Sequence, residues 1–252
     1  MLFRIGGQIN RLLNRLFGLR VSSGTNRRLV GIEDDAWDVI AMARGRTMGS
    51  AVQQYTMWQS VEHVENNAIS GDIIEFGVWR GGMAMIAAEA LGRRCSPRNL
   101  VLFDTFSGMT KPDEHDSELY SMQPANMLLN RESNKVGKWT TWANASLEDV
   151  QFGLSKCCIP KEQVKFVVGD VHNTVPSNLS ESISVCRIDT DWYSSTRHIL
   201  ENCWDRISPG GILILDDYDI WSGARKAVDE FFLSIEYKPF LIRTEIGRVV
   251  VK

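Results

Sequence analysis

The order of its segments constrains this chain more than any single motif. Short apolar runs at residues 73–76, 100–103, 164–168, 184–188 and 212–215 alternate with stretches of helical periodicity at 82–91, 146–153, 197–204 and 223–232. Strand followed by helix, repeated, is the pattern of βαβ units and a parallel sheet. The run Ile212-Leu-Ile-Leu215 is continuously apolar, as a strand with both faces covered must be. Residues 240–244 and 248–251, around Gly247, fit a terminal hairpin. The expected fold is therefore a doubly wound α/β sheet, mostly parallel, with an antiparallel C-terminal strand. Helices are also expected at 33–44 and 55–68, and Ser208-Pro-Gly-Gly211 reads as a turn. The stretch 107–145 is polar, irregular and too long for a plain connection, so it is read as short helices or a lid.

At 252 residues the chain is long enough for one large domain with a buried core. Its net charge of -3 names no partner, but the charge is unevenly spread. Residues 1–32 carry Arg4, Arg11, Arg15, Arg20, Arg27 and Arg28 and no acid, so that segment is +6 and the remainder near -9. The chain divides on this basis into a basic N-terminal extension, 1–32, and a principal domain, 33–252. Residues 2–19 have the pattern of an amphipathic helix, with Leu2, Ile5, Ile9, Leu12, Leu13 and Leu16 on one face and Arg4, Arg11 and Arg15 opposite. That face is expected to pack on protein, in a homo-oligomer such as a dimer, in preference to a peripheral membrane contact. No base-reading motif accompanies the arginines, which argues against a nucleic-acid partner. No apolar run reaches the ~20 residues of a membrane span, and no signal-peptide pattern is present. Cys95, Cys157, Cys158, Cys186 and Cys203 lack zinc-ligand spacing and are read as free thiols in a reducing cytoplasm.

The first chemical signal is Glu75-Phe-Gly-Val-Trp-Arg-Gly-Gly82, directly after an apolar strand and before an apolar helix. Gly77, Gly81 and Gly82 permit a tight turn and close approach of a ligand, the context of a nucleotide-cofactor site. The spacing is neither G-x-G-x-x-G nor a phosphate loop. A carboxylate at Glu75 suits an ammonium and would repel a pyrophosphate, which points to a positively charged cofactor. The second strand ends in Asp104-Thr-Phe106, where Asp104 is placed for a ribose diol and Phe106 for covering an adenine. The alternative is a packing turn without a ligand, with Phe106 in the core.

A second signal lies at Asp189-Thr-Asp191 and Asp216-Asp217, which close two strongly apolar strands. Crowding four acids at one sheet edge raises their pKa values and destabilises the fold unless a cation is present. A hard divalent ion such as magnesium resolves that conflict. A substrate with two neighbouring hydroxyls could chelate the ion, and a carboxylate that is not a ligand could take the hydroxyl proton. The competing explanation, that Asp191 and Asp219 cap the helices after them, leaves the adjacent Asp216 and Asp217 unexplained.

Taken together with Gly169-Asp170, Thr174-Val-Pro176, Asp189-Thr-Asp-Trp-Tyr193, Ser195-Thr196, Pro209-Gly-Gly211, Asp216-Asp-Tyr218, Gly223-Ala-Arg-Lys-Ala227 and Phe231, these motifs resemble the macrocin O-methyltransferase family from about Tyr55 to about Phe232. The resemblance implies a Rossmann-like methyltransferase fold and methylation of a sugar or glycoside hydroxyl using S-adenosyl-L-methionine and Mg2+. It implies Glu75 and Gly77 at the methionine end of the cofactor, and Asp104 at its ribose, with Thr105 and Phe106 beside it. Ser146 and Asp170 would sit near the adenine or the cofactor pocket, and Thr56 and Met57 in the segment that closes over the site. Asp189, Asp216 and Asp217 correspond to metal ligands, and Asp191 to the general base. The chain departs from the family pattern at Thr190, at Arg187 in an otherwise apolar strand, and across Met109–Asp116 of the lid. Three alternatives remain: a methyltransferase fold serving only as an interaction module, an O-methyltransferase acting on a non-sugar diol, and a nicotinamide-dependent reductase. The last lacks a clean phosphate-binding turn.

Overall fold

Two helices precede the sheet. Helix α1 (Asp34–Met42) opens on two acids, whose charge suits its N-terminal dipole. Helix α2 (Ala51–Asn66) begins earlier than its apolar periodicity predicts, because Ser50 and Gln53 form a capping box. Ser50 Oγ accepts the Gln53 N–H at 3.2 Å, and Gln53 Oε1 accepts the Ser50 N–H at 2.9 Å. The computed structural model describes residues 29–130 and 143–252, with the backbone of two short strands between them. The helix expected at 2–19 lies outside the described residues, as does part of the expected lid.

The elements that follow are β1 (Asp72–Phe76), α3 (Gly82–Arg93), β2 (Leu100–Asp104), α4 (Ala125–Leu129), β3 (Lys135–Val136) and β4 (Trp139–Thr140). Next come α5 (Leu147–Leu154), β5 (Val164–Val168), α6 (Val171–Thr174), β6 (Ile183–Ile188), α7 (Tyr193–Cys203), β7 (Ile207–Leu215), α8 (Ser222–Ser234), β8 (Ile242–Thr244) and β9 (Gly247–Val251). Seven strands form one sheet in the order β5-β2-β1-β6-β7-β9-β8. The first five pair in parallel, and β9 joins β7 antiparallel, so the C-terminal hairpin closes the sheet as expected.

Alternate residues divide between the two faces. Ile74, Phe76, Val101, Phe103, Cys186 and Ile188 point to one side, into a core completed by Ile199 and Leu200 of α7 and Val228, Phe231 and Phe232 of α8. The other face is covered by α2, against β6 and β7, and by α3, against β2. Glu75 and Arg187 lie on this second face.

Ser208-Pro-Gly-Gly211 does not end before the strand but lies within β7. The register slips there, with Ile183 opposite Ile207 and Val185 opposite Ile212, so the extra residues of the segment form a bulge. Its amides are still used: the Gly210 N–H donates to the Lys252 carbonyl at 2.8 Å and the Lys252 N–H to that of Gly211 at 2.9 Å. Helix α7 likewise starts at Tyr193, ahead of its apolar repeat, because Asp116 Oδ1 accepts the Tyr193 N–H at 2.8 Å. The lid region contains α4, the β3–β4 pair and a backbone bridge from Glu118 to Trp221.

Candidate functional site

The strand order reverses between β1 and β6, and there the carboxyl ends open a crevice in doubly wound sheets. The chain leaves β1 through Gly77, at φ +82°, and a Cβ at this position would fall 1.8 Å from the Asp189 carbonyl. Only glycine allows the two strand ends to approach so closely. The Asp189 N–H bonds the Phe76 carbonyl at 2.9 Å, and the Asp216 N–H that of Ile188 at 3.0 Å. These links bring the ends of β1, β6 and β7 side by side. Beside them is a cleft of about 350 Å³.

Asp104 fastens the glycine turn to β2. Its Oδ2 accepts the N–H groups of Val78 at 2.6 Å and Trp79 at 3.0 Å, and its Oδ1 that of Phe106 at 2.8 Å. Asp104, Thr105, Gly77 and Asp170 line the cleft. Asp170 also caps α6, accepting the His172 N–H at 2.9 Å, and burial is outweighed by these His172 contacts in holding its carboxyl below the usual range. The remaining expected cofactor residues have other partners. Thr56 Oγ1 returns to the Val52 carbonyl at 2.9 Å, Met57 is fully buried, Phe106 meets Phe166 edge-on, and Ser146 caps α5.

Arg187 organises the acids on the α2 face. Its Nη1 lies 2.6 Å from Glu75 Oε1, and its Nη2 lies 2.7 Å from Asp189 Oδ2 and 3.1 Å from Asp216 Oδ2. Glu75 and Arg187 are both shut off from solvent, and Glu75 Oε2 has no hydrogen-bond partner among the described residues. Burial pushes the Glu75 carboxyl up to about 8, against the opposing pull of Arg187. Asp216 is pushed up to about 6 by burial, again opposed by Arg187, and its Oδ1 accepts Gln53 Nε2 at 2.9 Å.

Asp189 also belongs to a second group, with Asp191 and Asp217. Asp189, Asp191 and Asp217 each offer a carboxylate oxygen, all within 4.8 Å of one another. Burial, together with the neighbouring negative charges, raises Asp191 and Asp217 well above the usual carboxylate range. Asp191 has φ +62°; its N–H donates to Asp217 Oδ2 at 3.0 Å, and its Oδ1 accepts Trp221 Nε1 at 2.6 Å. Oxygen donors this close, two of them costly to ionise alone, fit a hard divalent cation. Neither Asp191 nor Asp219 caps a helix: Asp116 serves α7, and Asp219 is held by Arg225, Arg243 and Arg248.

Several site residues escaped sequence reasoning. Gln53 was legible in principle, since Ser50-Ala-Val-Gln53 is a capping-box string at a helix start. Arg187 stood out as a charge in an apolar strand, but no local pattern named its three partners. Trp192 and Trp221 line the cleft from the starts of two helices; Trp192 lay inside a quoted motif without a role, and Trp221 carries no sequence signal of its own.

A family model described as macrocin O-methyltransferase matches residues 33–239. The chain is similar to mycinamicin III 3''-O-methyltransferase from Micromonospora griseorubida, at 33% identity over 172 residues, covering 68% of this chain and 64% of that one. It is also similar to demethyldecarbamoylnovobiocin O-methyltransferase from Streptomyces niveus, at 30% identity over 190 residues, covering 75% of this chain and 68% of that one. The aligned part thus spans about two thirds of each relative. Among solved structures, the O-methyltransferase NovP superposes with a TM-score of 0.71 at 27% identity, over 85% of this chain and 87% of that one. By the extent of the family match and the identity to these relatives, the chain belongs to the macrocin O-methyltransferase family.

Proposed function

We propose that this chain transfers the methyl group of S-adenosylmethionine to a hydroxyl of a sugar or glycoside, with a divalent metal at the aspartate cluster. One observation carries the reading: Glu75, fully buried at the cleft wall, has one oxygen on Arg187 and a second with no partner among the described residues. An unpaired buried carboxylate oxygen is expensive, and a ligand ammonium would satisfy it. Asp104, on the adjacent strand end, is the ribose partner in this reading. The two relatives are named as O-methyltransferases, and a third, from Streptomyces olivaceus and 31% identical over 172 residues, is named for 4'-O-methylation of a rhamnosyl-tetracenomycin, which supports the sugar acceptor.

When bound, the cofactor supplies an electrophilic methyl and the metal a Lewis acid beside the acceptor oxygen. The chain's own part is to align donor and acceptor and to hold the acceptor proton's destination. In the primary assignment Asp189, Asp216 and Asp217 are ligands and Asp191 takes the proton. A second assignment, favoured by the 4.8 Å grouping, puts Asp191 among the ligands with Asp189 and Asp217, while Asp216 stays with Arg187 and Gln53.

Calorimetry with S-adenosylhomocysteine and with magnesium tests the binding sites, and a screen of glycosides with and without a free neighbouring hydroxyl tests the acceptor. Binding of both ligands and preference for the diol set are expected. Failure to bind S-adenosylhomocysteine would reduce the chain to an interaction module, and equal turnover of both glycoside sets would remove the chelation argument. Asp191→Asn separates the two assignments. Intact magnesium affinity with turnover reduced on the order of 10²–10⁴-fold identifies a base; lost magnesium affinity identifies a ligand.

A further inference from the structure

We propose that Trp221 is a positioning residue for Asp191 and ties that carboxylate to the lid segment Ser117–Leu119. The inference rests on Asp191 having one of the two roles given above and holds for either. The indole Nε1–H donates to Asp191 Oδ1 at 2.6 Å, and both residues line the cleft. Oδ1 is thereby anchored, which fixes how the carboxylate is presented to an acceptor or a metal.

Asp191 needs such a holder. At φ +62° it occupies the left-handed region, where a residue with a side chain persists only if its surroundings enforce it. Two hydrogen bonds enforce it: its own N–H on Asp217 Oδ2 and the indole on its Oδ1. Trp221 is itself rigid. Its ring is 4% exposed and packs edge-on against Trp192, with centroids 5.0 Å apart. An aromatic ring locked in this way presents its N–H at little further entropic cost.

The backbone that carries the indole is bonded to the lid on both sides of Trp221. The Leu119 N–H donates to the Ile220 carbonyl at 2.9 Å, and the Ser222 N–H to the Ser117 carbonyl at 2.9 Å, flanking the Glu118–Trp221 bridge. Trp192 adds a third tie, from its Nε1 to the Thr110 carbonyl at 3.0 Å. Docking of residues 117–119 therefore sets the position of the indole, and the indole sets the carboxylate.

Trp221→Phe keeps a packed ring and removes the donor. Turnover of the fastest glycoside from the screen above, magnesium affinity and S-adenosylhomocysteine affinity are measured for Trp221→Phe, Asp191→Asn and the double variant. Trp221→Phe should lower whichever quantity Asp191→Asn lowers, by on the order of 10-fold, the reach of one hydrogen bond to a charged group. It should leave S-adenosylhomocysteine affinity unchanged and have no further effect in the Asp191→Asn background. A wild-type value in Trp221→Phe, or an equal loss in both backgrounds, overturns the inference while leaving the function intact. If Asp191→Asn changes neither turnover nor magnesium affinity, the role given to Asp191 fails and this inference fails with it. Should Trp221→Phe not fold, the indole resonance of Trp221 in ¹⁵N-labelled protein decides. It should move upfield in Asp191→Ala, and a resonance that stays in place overturns the contact.

Discussion

Glu75 and Arg187 face each other in register across β1 and β6, and their side chains meet on the α2 face with Nη1 2.6 Å from Oε1. A cross-strand pair of this kind, in the middle of a sheet, places a cation where three acids converge. Removing the cation takes the shared counter-ion from all three. Arg187→Met is expected to cost about 3–5 kcal/mol, the usual consequence of breaking a buried ion pair from one side. Adding Asp189→Asn should recover part of that loss, because one of the acids left without its counter-ion is then neutral. Urea denaturation of the two variants measures both steps, and a double variant no more stable than the single would show that Asp189 is not a principal partner.

The same burial gives Glu75 a pH signature. Its carboxyl is raised from 4.5 to about 8, chiefly by desolvation and against the pull of Arg187. Below pH 4.5 both folded and unfolded chains hold this proton, so the group contributes no pH dependence. Between pH 4.5 and about 8 the unfolded chain releases it while the folded chain retains it, so this group's contribution to stability falls as pH rises. Above that window the loss is complete and constant. Thermal melts of wild type and Glu75→Gln, without added metal or cofactor, should therefore diverge across this range, with wild type losing ground at higher pH. Parallel curves from pH 5 to 9 would contradict the raised value.

Asp104 was expected from the sequence to meet a ribose, yet both of its oxygens also accept backbone N–H groups of the glycine turn and of Phe106. Its replacement by Ala should thus weaken S-adenosylhomocysteine binding and also lower stability, by about 1–3 kcal/mol for donors left without a partner. Asp104→Asn, which keeps one acceptor, should retain more stability than Asp104→Ala. Equal melting temperatures for wild type and Asp104→Ala would remove the structural half of this account.

What could be read in advance follows from where the determining interactions lie in the chain. The strands, the turn after β1 and the acids at the ends of β6 and β7 were legible because each is encoded by neighbours: an apolar run, then glycine or aspartate. Helix starts were read late at α2 and α7 because capping decides them. The cap of α2 is local and could have been seen, whereas that of α7 comes from Asp116, far away in the sequence. Arg187 was visible only as an anomaly. Its meaning depends on Glu75 and Asp216, which the parallel register brings to it from two neighbouring strands. Likewise, that Asp216 meets Arg187 and Gln53 while its neighbour Asp217 joins Asp189 and Asp191 is a matter of side-chain direction that adjacency in the sequence conceals.

Gly77 offers the sharpest test of how tightly the site is built. Two independent penalties meet there: a left-handed φ of +82°, and an Asp189 carbonyl only 1.8 Å from where a Cβ would sit. Gly45 provides the control, since it has φ +74° but nothing within 4 Å of its Cβ position. Gly45→Ala should cost about 1–2 kcal/mol, the left-handed term alone. Gly77→Ala adds an overpacking cost of about 1–3 kcal/mol on top of that term, and the clash falls on rigid backbone that cannot yield cheaply. It must also push the Asp189 backbone away from β1, shifting the carboxylate shared by Arg187 and the aspartate cluster. Chemical denaturation and magnesium titration of the two variants together give the comparison. Gly77→Ala should be the less stable and lose magnesium affinity, while Gly45→Ala keeps it. Equal stabilities would mean that the strand ends can part without cost, and that the close approach of Gly77 to Asp189 does not hold the site together.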